Sequence, residues 1–172
     1  MTGPRPHLRD LTPDDAERVR EILAEGYATG HAALRQTPAP WSDIDRGYRP
    51  DCRIAADVDG RLAGFAMIAP ASSHCGYEGV AELSVYVAAA ARGRGVGDAL
   101  LAELIAASER AGVWTLVASI FPENVASVRL HERHGFRRLG VRERVGFMTH
   151  GPLAGTWRDV VVFERRSAIV GV

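Results

Sequence analysis

Apolar positions along the chain fall first into a helical period. Thr12-Pro13-Asp14-Asp15 opens a segment in which Val19, Ile22, Leu23 and Tyr27 share one face. Thr12 suits a helix cap, Pro13 suits the first helical position, and Asp15 completes a box-like pattern. A short apolar stretch around Leu8 precedes this helix. Positions 28–40 contain Gly30, Pro38 and Pro40 and read as a loop, after which Ser42 is placed to cap a short helix through Tyr48. Strand patterns follow over 53–58 and 62–69, flanking the hairpin pair Asp59-Gly60, and again from Val80 to Ala88. Positions 96–111 return to helical spacing at Leu100, Leu101, Leu104 and Ile105, and stop at Gly112. A strand over 113–121, a helix over 124–134 ended by Gly135, and strands over 136–146 and 157–164 complete the order. Strand, two helices, three strands, helix, strand, helix and two strands describe an α/β protein with a mixed sheet, not a regular alternation.

Composition narrows what such a fold is for. The chain has 172 residues, 47% apolar and 24% charged, as expected of a single globular domain spanning 1–172. Its 21 basic residues balance 21 acidic ones, so no general attraction to nucleic acid or to an acidic membrane is expected. The apolar runs are too short for a membrane span, and the polar, proline-containing N-terminus does not read as a signal peptide, which makes the cytoplasm the expected address. Every basic residue is arginine, which excludes a catalytic lysine, a pyridoxal Schiff base and a Walker A loop. Cys52 and Cys75 form no CxxC and no zinc-like spacing, so both are expected to be reduced and structural, with no metal.

The segment richest in chemistry is Arg92-Gly93-Arg94-Gly95-Val96-Gly97, between a strand and a helix. Glycines let the backbone turn sharply and approach a ligand; unpaired amides at the helix start attract an anion, and two arginines add charge. A diphosphate suits such a loop. The mid-chain GxGxG does not match the GxGxxG of a dinucleotide fold, and a P-loop needs a lysine.

With the motif [RQ]xxGxG, the chain resembles the GNAT superfamily of acyl-coenzyme A-dependent N-acetyltransferases over its whole length. More narrowly it is similar to the phosphinothricin acetyltransferase family of small amino-acid N-acetyltransferases. The resemblance rests on Ala81-Glu82-Leu83-Ser84-Val85-Tyr86-Val87, Ala91 through Gly97, Phe121-Pro122-Glu123-Asn124-Val125-Ala126-Ser127 and Leu130-His131-Glu132-Arg133-His134-Gly135-Phe136. It implies a mostly antiparallel central sheet flanked by about four helices, with two parallel strands that splay apart near Val87 and Ile120. The pantetheine arm of acetyl-coenzyme A is expected in that gap, bonded by the backbone of Val85 and Val87, beside Tyr86. Arg92, Gly93, Arg94, Gly95, Val96, Gly97 and Asp98 are expected around the diphosphate.

The resemblance also implies roles for side chains. Glu82 becomes the general base that takes a proton from the acceptor amine, with burial raising its pKa; read alone, it is an ion-paired structural carboxylate. Asn124, the single Asn of the chain, reads as a helix cap; the resemblance makes it a pantetheine contact, with Ser127 as a second one. His131, one turn after Ser127, is placed to protonate the departing thiolate or relay the amine proton. His134 reads as a charge at the helix end. On the acceptor side the family carries Tyr-Arg-His-Thr-Val-Glu before the central strand, whereas this chain has Tyr77-Glu78-Gly79-Val80-Ala81-Glu82. Tyr77 is retained, but Glu78 cannot make the bidentate bond of an arginine to an acidic substrate, and Arg35 is a candidate replacement. The segment from Thr149 to Thr156 is longer than the family's usual final hairpin, which borders the active site and a homodimer contact.

The expected function is therefore direct acetyl transfer to the primary amine of a small amino acid or analogue. Another amine (a polyamine, an aminoglycoside-like antibiotic or a protein N-terminus) is the second reading, and a non-catalytic acyl-coenzyme A sensor the third.

Overall fold

The structure, a computed structural model, describes residues 5–172. Eleven regular elements follow the order expected from the sequence: β1 (His7–Asp10), α1 (Ala16–Ala28), α2 (Trp41–Gly47), β2 (Arg53–Val58), β3 (Arg61–Pro70), β4 (Val80–Val87), α3 (Val96–Arg110), β5 (Thr115–Ile120), α4 (Val125–Arg133), β6 (Arg137–Phe147) and β7 (Trp157–Arg166). They build one seven-stranded sheet, in the order β1-β2-β3-β4-β5-β7-β6. Every neighbouring pair is antiparallel except β4 and β5. That pair is joined through α3, as a parallel connection requires.

Local sequence explains most of these elements. The α1 face Val19, Ile22, Leu23 and Tyr27 is buried as its spacing predicts, and Gly26 is buried with it. Ahead of α1, the Asp15 carboxylate accepts from the Thr12 amide at 3.0 Å and is gripped by both terminal nitrogens of Arg9 at 2.8 Å. Asp59 and Gly60 both take positive φ (53° and 75°), the geometry of a two-residue hairpin turn. The α2 helix starts at Trp41 with Pro40 as its cap and no side-chain cap bond, so Ser42 does not cap it. Both cysteines are free; Cys52 is buried in the core, whereas Cys75 is exposed and so does not have the structural role expected of it.

Side-chain alternation on β4 assigns the two helix layers. Gly26 of α1 lies against the Tyr86 ring, and the Tyr48 hydroxyl after α2 meets Ser84 Oγ at 3.5 Å. Gly97 of α3 and Leu130 of α4 approach each other on the opposite face, beside Val87. Even-numbered β4 residues thus face α1 and α2, and odd-numbered ones face α3 and α4. The core lies between these layers, with Phe65, Ile68, Leu100, Leu104 and Phe163 among its most buried members. The last hairpin returns over the sheet end: Pro152 and Leu153 rest against Gly30, in the loop after α1. No helix among the described residues is long and apolar enough to cross a membrane.

Candidate active site

The two parallel strands pair over only three positions, Val80 with Thr115, Ala81 with Leu116 and Glu82 with Val117. Beyond them β4 continues to Val87 beside β3, and β5 continues to Ile120 beside β7. On the edges that face each other, the backbone of 83–87 and of 118–120 does not pair across the gap, which leaves a V-shaped opening. A cavity of about 1090 Å³ occupies it, lined by both strand ends, the start of α3, the inner face of α4 and Thr29 and residues 31–34 after α1.

The glycine-rich turn forms one end of this cavity. Gly93 and Gly95 take φ values of 74° and 79°, a region that side-chain-bearing residues rarely adopt. Gly95 caps α3, whose first intrahelical bond runs from Ala99 N–H to Gly95 O at 3.1 Å. The amides of Val96, Gly97 and Asp98 precede that bond and lie in the cavity wall, an arrangement suited to an anion. Arg92, Arg129 and Arg133 line the same mouth. Asp98 accepts from His134 Nε2 at 3.0 Å and from Arg133 at 3.4 Å; the His134 bond chiefly holds its carboxyl below the usual range. His134 thus stands at the end of α4 as a hydrogen-bond partner of Asp98.

Val85, Tyr86 and Val87, Arg92, Gly93, Gly95, Val96, Gly97 and Asp98, and Asn124, Ser127 and His131 all line the cavity. Arg94 does not; it turns outward to Asp59 at 3.2 Å. Asn124 is a cap, accepting from Ser127 N–H at 3.2 Å, and its Nδ2 also donates to the His31 carbonyl at 3.2 Å. It therefore ties the loop after α1 to the start of α4. Tyr86 stacks on Phe65 and meets Tyr27 edge-on, and burial pushes its hydroxyl pKa well up.

His131 is 3% exposed, and its Nδ1 lies 2.8 Å from the Ser127 carbonyl. That contact requires a proton on Nδ1, which leaves Nε2 as the basic nitrogen. Nε2 is buried with no partner. Burial lowers the pKa of this histidine below its ordinary value, more than the Ser127 carbonyl raises it. At neutral pH it is a proton acceptor, and the burial disfavours the charged form that acid catalysis needs.

The expected acceptor residues are arranged differently. Glu82 follows the β4 alternation onto the Ser84 and Tyr86 face, but it is exposed and does not line the cavity. The burial expected for it is absent: among the described residues no element covers the Glu82 side chain. Tyr77 is 53% exposed, outside the cavity, on the turn between β3 and β4. On the same turn Glu78 folds back to accept from Gly76 N–H at 2.9 Å, also outside the cavity. Arg35 stands exposed at the rim beside Leu34, which does line the cavity.

One group escaped the sequence reading. Arg158 on β7 is 3% exposed, donates to the Gly30 carbonyl at 2.6 Å and to Glu123 at 3.1 Å, and lies 4.2 Å over the Phe121 ring. Only its strand parity with buried Val160 hinted at an inward side chain.

A sequence profile of the acetyltransferase (GNAT) family matches residues 16–136. The phosphinothricin N-acetyltransferase of Alcaligenes faecalis is 33% identical over 169 residues, covering 92% of this chain and 81% of that protein. The L-methionine sulfoximine/L-methionine sulfone acetyltransferase of Pseudomonas paraeruginosa is 29% identical over 91% of this chain and 92% of its own length. Among solved structures, a GNAT superfamily phosphinothricin acetyltransferase from Sinorhizobium meliloti, in complex with acetyl-coenzyme A, superposes with a TM-score of 0.83 at 28% identity. It covers 99% of this chain and 91% of that one. With more than half its length matched by the family profile, the chain belongs to the GNAT acetyltransferase family.

Proposed function

We propose that the protein is an acetyl-coenzyme A-dependent N-acetyltransferase acting on the primary amine of a small amino acid or analogue, of the phosphinothricin and methionine sulfoximine class. The observation that carries this reading is the opening between β4 and β5 with the anion-binding turn at its end. A strand-like pantetheine arm suits the edge of 83–87 that faces β5, and a diphosphate suits the amides of 96–98. The coenzyme supplies a thioester whose carbonyl carbon the amine attacks, with the thiolate as leaving group.

This chain's residues supply the proton path. Glu82, open to solvent on the acceptor face of β4, takes the ammonium proton through water before attack. His131 Nε2 is the second acceptor and relays a proton towards the thiolate once it has received one from the attacking nitrogen. Exposure of Glu82 favours export of its proton to bulk water. Cys75, exposed on the turn before β4, lies outside the cavity and forms no acyl-enzyme in this scheme.

The active form is proposed to be a homodimer. Leu139 and Val141 on the outer strand β6, and Phe147 and Trp157 paired edge-on at the far end of the β6–β7 hairpin, leave large apolar side chains exposed on one chain. A cytoplasmic address fits two unpaired thiols and the need for acetyl-coenzyme A.

Free-thiol release from acetyl-coenzyme A against a panel of amines tests the function. The panel contains phosphinothricin, methionine sulfoximine, methionine sulfone, ordinary amino acids, a polyamine and an aminoglycoside. Turnover is expected with an amino-acid analogue, and Glu82→Gln is expected to lower kcat by about 100-fold or more with coenzyme affinity unchanged. Turnover confined to the polyamine or aminoglycoside overturns the substrate class. Tight coenzyme binding with no thiol release from any amine overturns the enzyme reading in favour of a sensor.

A further inference from the structure

The strand ends that line the opening between β4 and β5 are mostly aliphatic, and hydroxyls interrupt them on one side. Of the side chains that the two strand ends give the cavity, Ser84, Tyr86 and Ser119 carry the polar atoms. Tyr86 is packed between Phe65 and Tyr27, and its hydroxyl is buried. The serines are more open: Ser84 is half-buried and Ser119 is exposed.

Strand register puts both serines on the acceptor face. Glu82 and Val117 are the last partners before the strands part, and Ser84 and Ser119 are the next residues on the same side of each strand. Pairing with β7 gives the same answer from the other edge. Ser119 lies opposite Val162, which has the parity of Val160 in the cavity wall and of Arg158 under the loop after α1. The two serines therefore flank the opening at its closed end, one on each strand, next to Glu82. Tyr48, after α2, sets its hydroxyl 3.5 Å from Ser84 Oγ. The residues nearest Ser119 on its face by register, Val117 and Val162, are apolar.

The anion-binding turn stands at the open end of the gap, so the closed end is left for the transfer itself. An amine that reaches it from the acceptor face passes between the two hydroxyls. A serine oxygen has two lone pairs and accepts from an N–H. A primary amine that presents its own lone pair to a carbonyl carbon keeps two N–H bonds directed away from that carbon. We infer that Ser84 Oγ and Ser119 Oγ accept those two N–H bonds, which fixes the nitrogen for attack and selects primary over N-alkylated amines. Glu82 keeps its role as the proton acceptor through water. This rests on the proposed acetyltransferase function and deepens it, because it assigns recognition of the reacting nitrogen to the two central strands.

The test takes the best primary amine from the thiol-release panel and its N-methyl derivative, and measures the kinetics of the full chain with each. The parent is expected to prefer the primary amine by about 100-fold or more in kcat/KM, because a methyl group turned to either hydroxyl leaves that hydroxyl without its donor. Ser119→Val removes the hydroxyl, and Ser119→Thr returns it on a side chain of the same shape. Ser119→Val is expected to lower kcat/KM for the primary amine about tenfold, with the acetyl-coenzyme A KM within about twofold of the parent's, and Ser119→Thr to recover most of the loss. Ser84→Ala and Ser119→Ala, which also make room for a methyl group, are each expected to narrow the preference over the N-methyl amine about tenfold. Titration calorimetry of the primary amine into protein saturated with coenzyme A is expected to give the same order of affinities without turnover. Equal losses in Ser119→Val and Ser119→Thr overturn the inference, as does an unaltered preference between the two amines in either alanine variant. A parallel rise of both substrates' KM values overturns it as well, since that marks a role in shaping the cavity alone. A parent protein that turns over no amine overturns the proposed function and this inference with it, whereas a deficit confined to the variants bears on the serines alone.

Discussion

Replacing Arg158 by Met separates three interactions that meet under the loop after α1. The methionine keeps an unbranched apolar stem and removes the guanidinium. Lost first is the charged hydrogen bond to the Gly30 carbonyl at 2.6 Å, worth about 2 kcal/mol when one partner remains behind. Lost with it is the stacking over Phe121 at 4.2 Å, worth about 1–2 kcal/mol in a desolvated setting. The pair with Glu123 adds at most about 1 kcal/mol, because that carboxylate is 54% exposed and rehydrates when released. Against these stands relief of the cost of burying a cation, which in other sites makes such replacements neutral or stabilising. The carbonyl of Gly30 decides the sign, since methionine gives it no donor beneath Pro152 and Leu153. The net loss is set at about 2 kcal/mol, which for a chain of this size lowers Tm by about 4–8 °C. Thermal unfolding beside an Arg138→Met control, altered on the exposed outer strand, measures it. An unchanged or higher Tm for Arg158→Met would show that relieved desolvation exceeds all three lost contacts, and would refute the reasoning.

Two further changes probe the fold and the buried histidine. Gly79→Ala would set a Cβ 2.1 Å from the Trp114 ring, at the closed end of the opening between β4 and β5; overpacking there is expected to cost about 2–3 kcal/mol, and an unchanged thermal midpoint would contradict the packing described. His131 has a folded-state pKa below its ordinary value, so between the two values the unfolded chain binds more protons and stability rises as pH rises. Its contribution is complete above an unfolded value near 6.5 and is lost as pH drops through the folded value. His131→Asn, which retains a donor towards the Ser127 carbonyl, is expected to flatten the decline in Tm between about pH 7.5 and 5.5; parallel curves for variant and parent would exclude His131 as its source.

Features set by neighbouring residues were legible in the sequence. The α1 and α3 faces follow from helical spacing, the β2–β3 turn from Asp59-Gly60, and the anion-binding turn from glycines that require positive φ. Features set by distant contacts were not. Glu82 lies where strand alternation puts it, but its exposure depends on which element covers that end of β4, and among the described residues none does. Tyr77 and Glu78 immediately precede β4, yet the Gly76 amide draws the Glu78 carboxylate back onto its own turn. Arg158 carries the residue type of a solvated strand face; partners 35 and 128 residues away account for its burial. Asn124 shows both limits, since its cap to Ser127 is local and its bond to His31 spans 93 residues.

The opening between β4 and β5 also ties the stability of the fold to occupancy by its cosubstrate. A sheet whose central strands part after Glu82 and Val117 leaves hydrogen-bonding capacity that a strand-like ligand completes only in the native state. Such a ligand shifts the folding equilibrium by mass action, by about 2.7 kcal/mol when present at a hundred times its Kd. Resistance of the purified protein to heat and to proteolysis is then expected to rise with acetyl-coenzyme A.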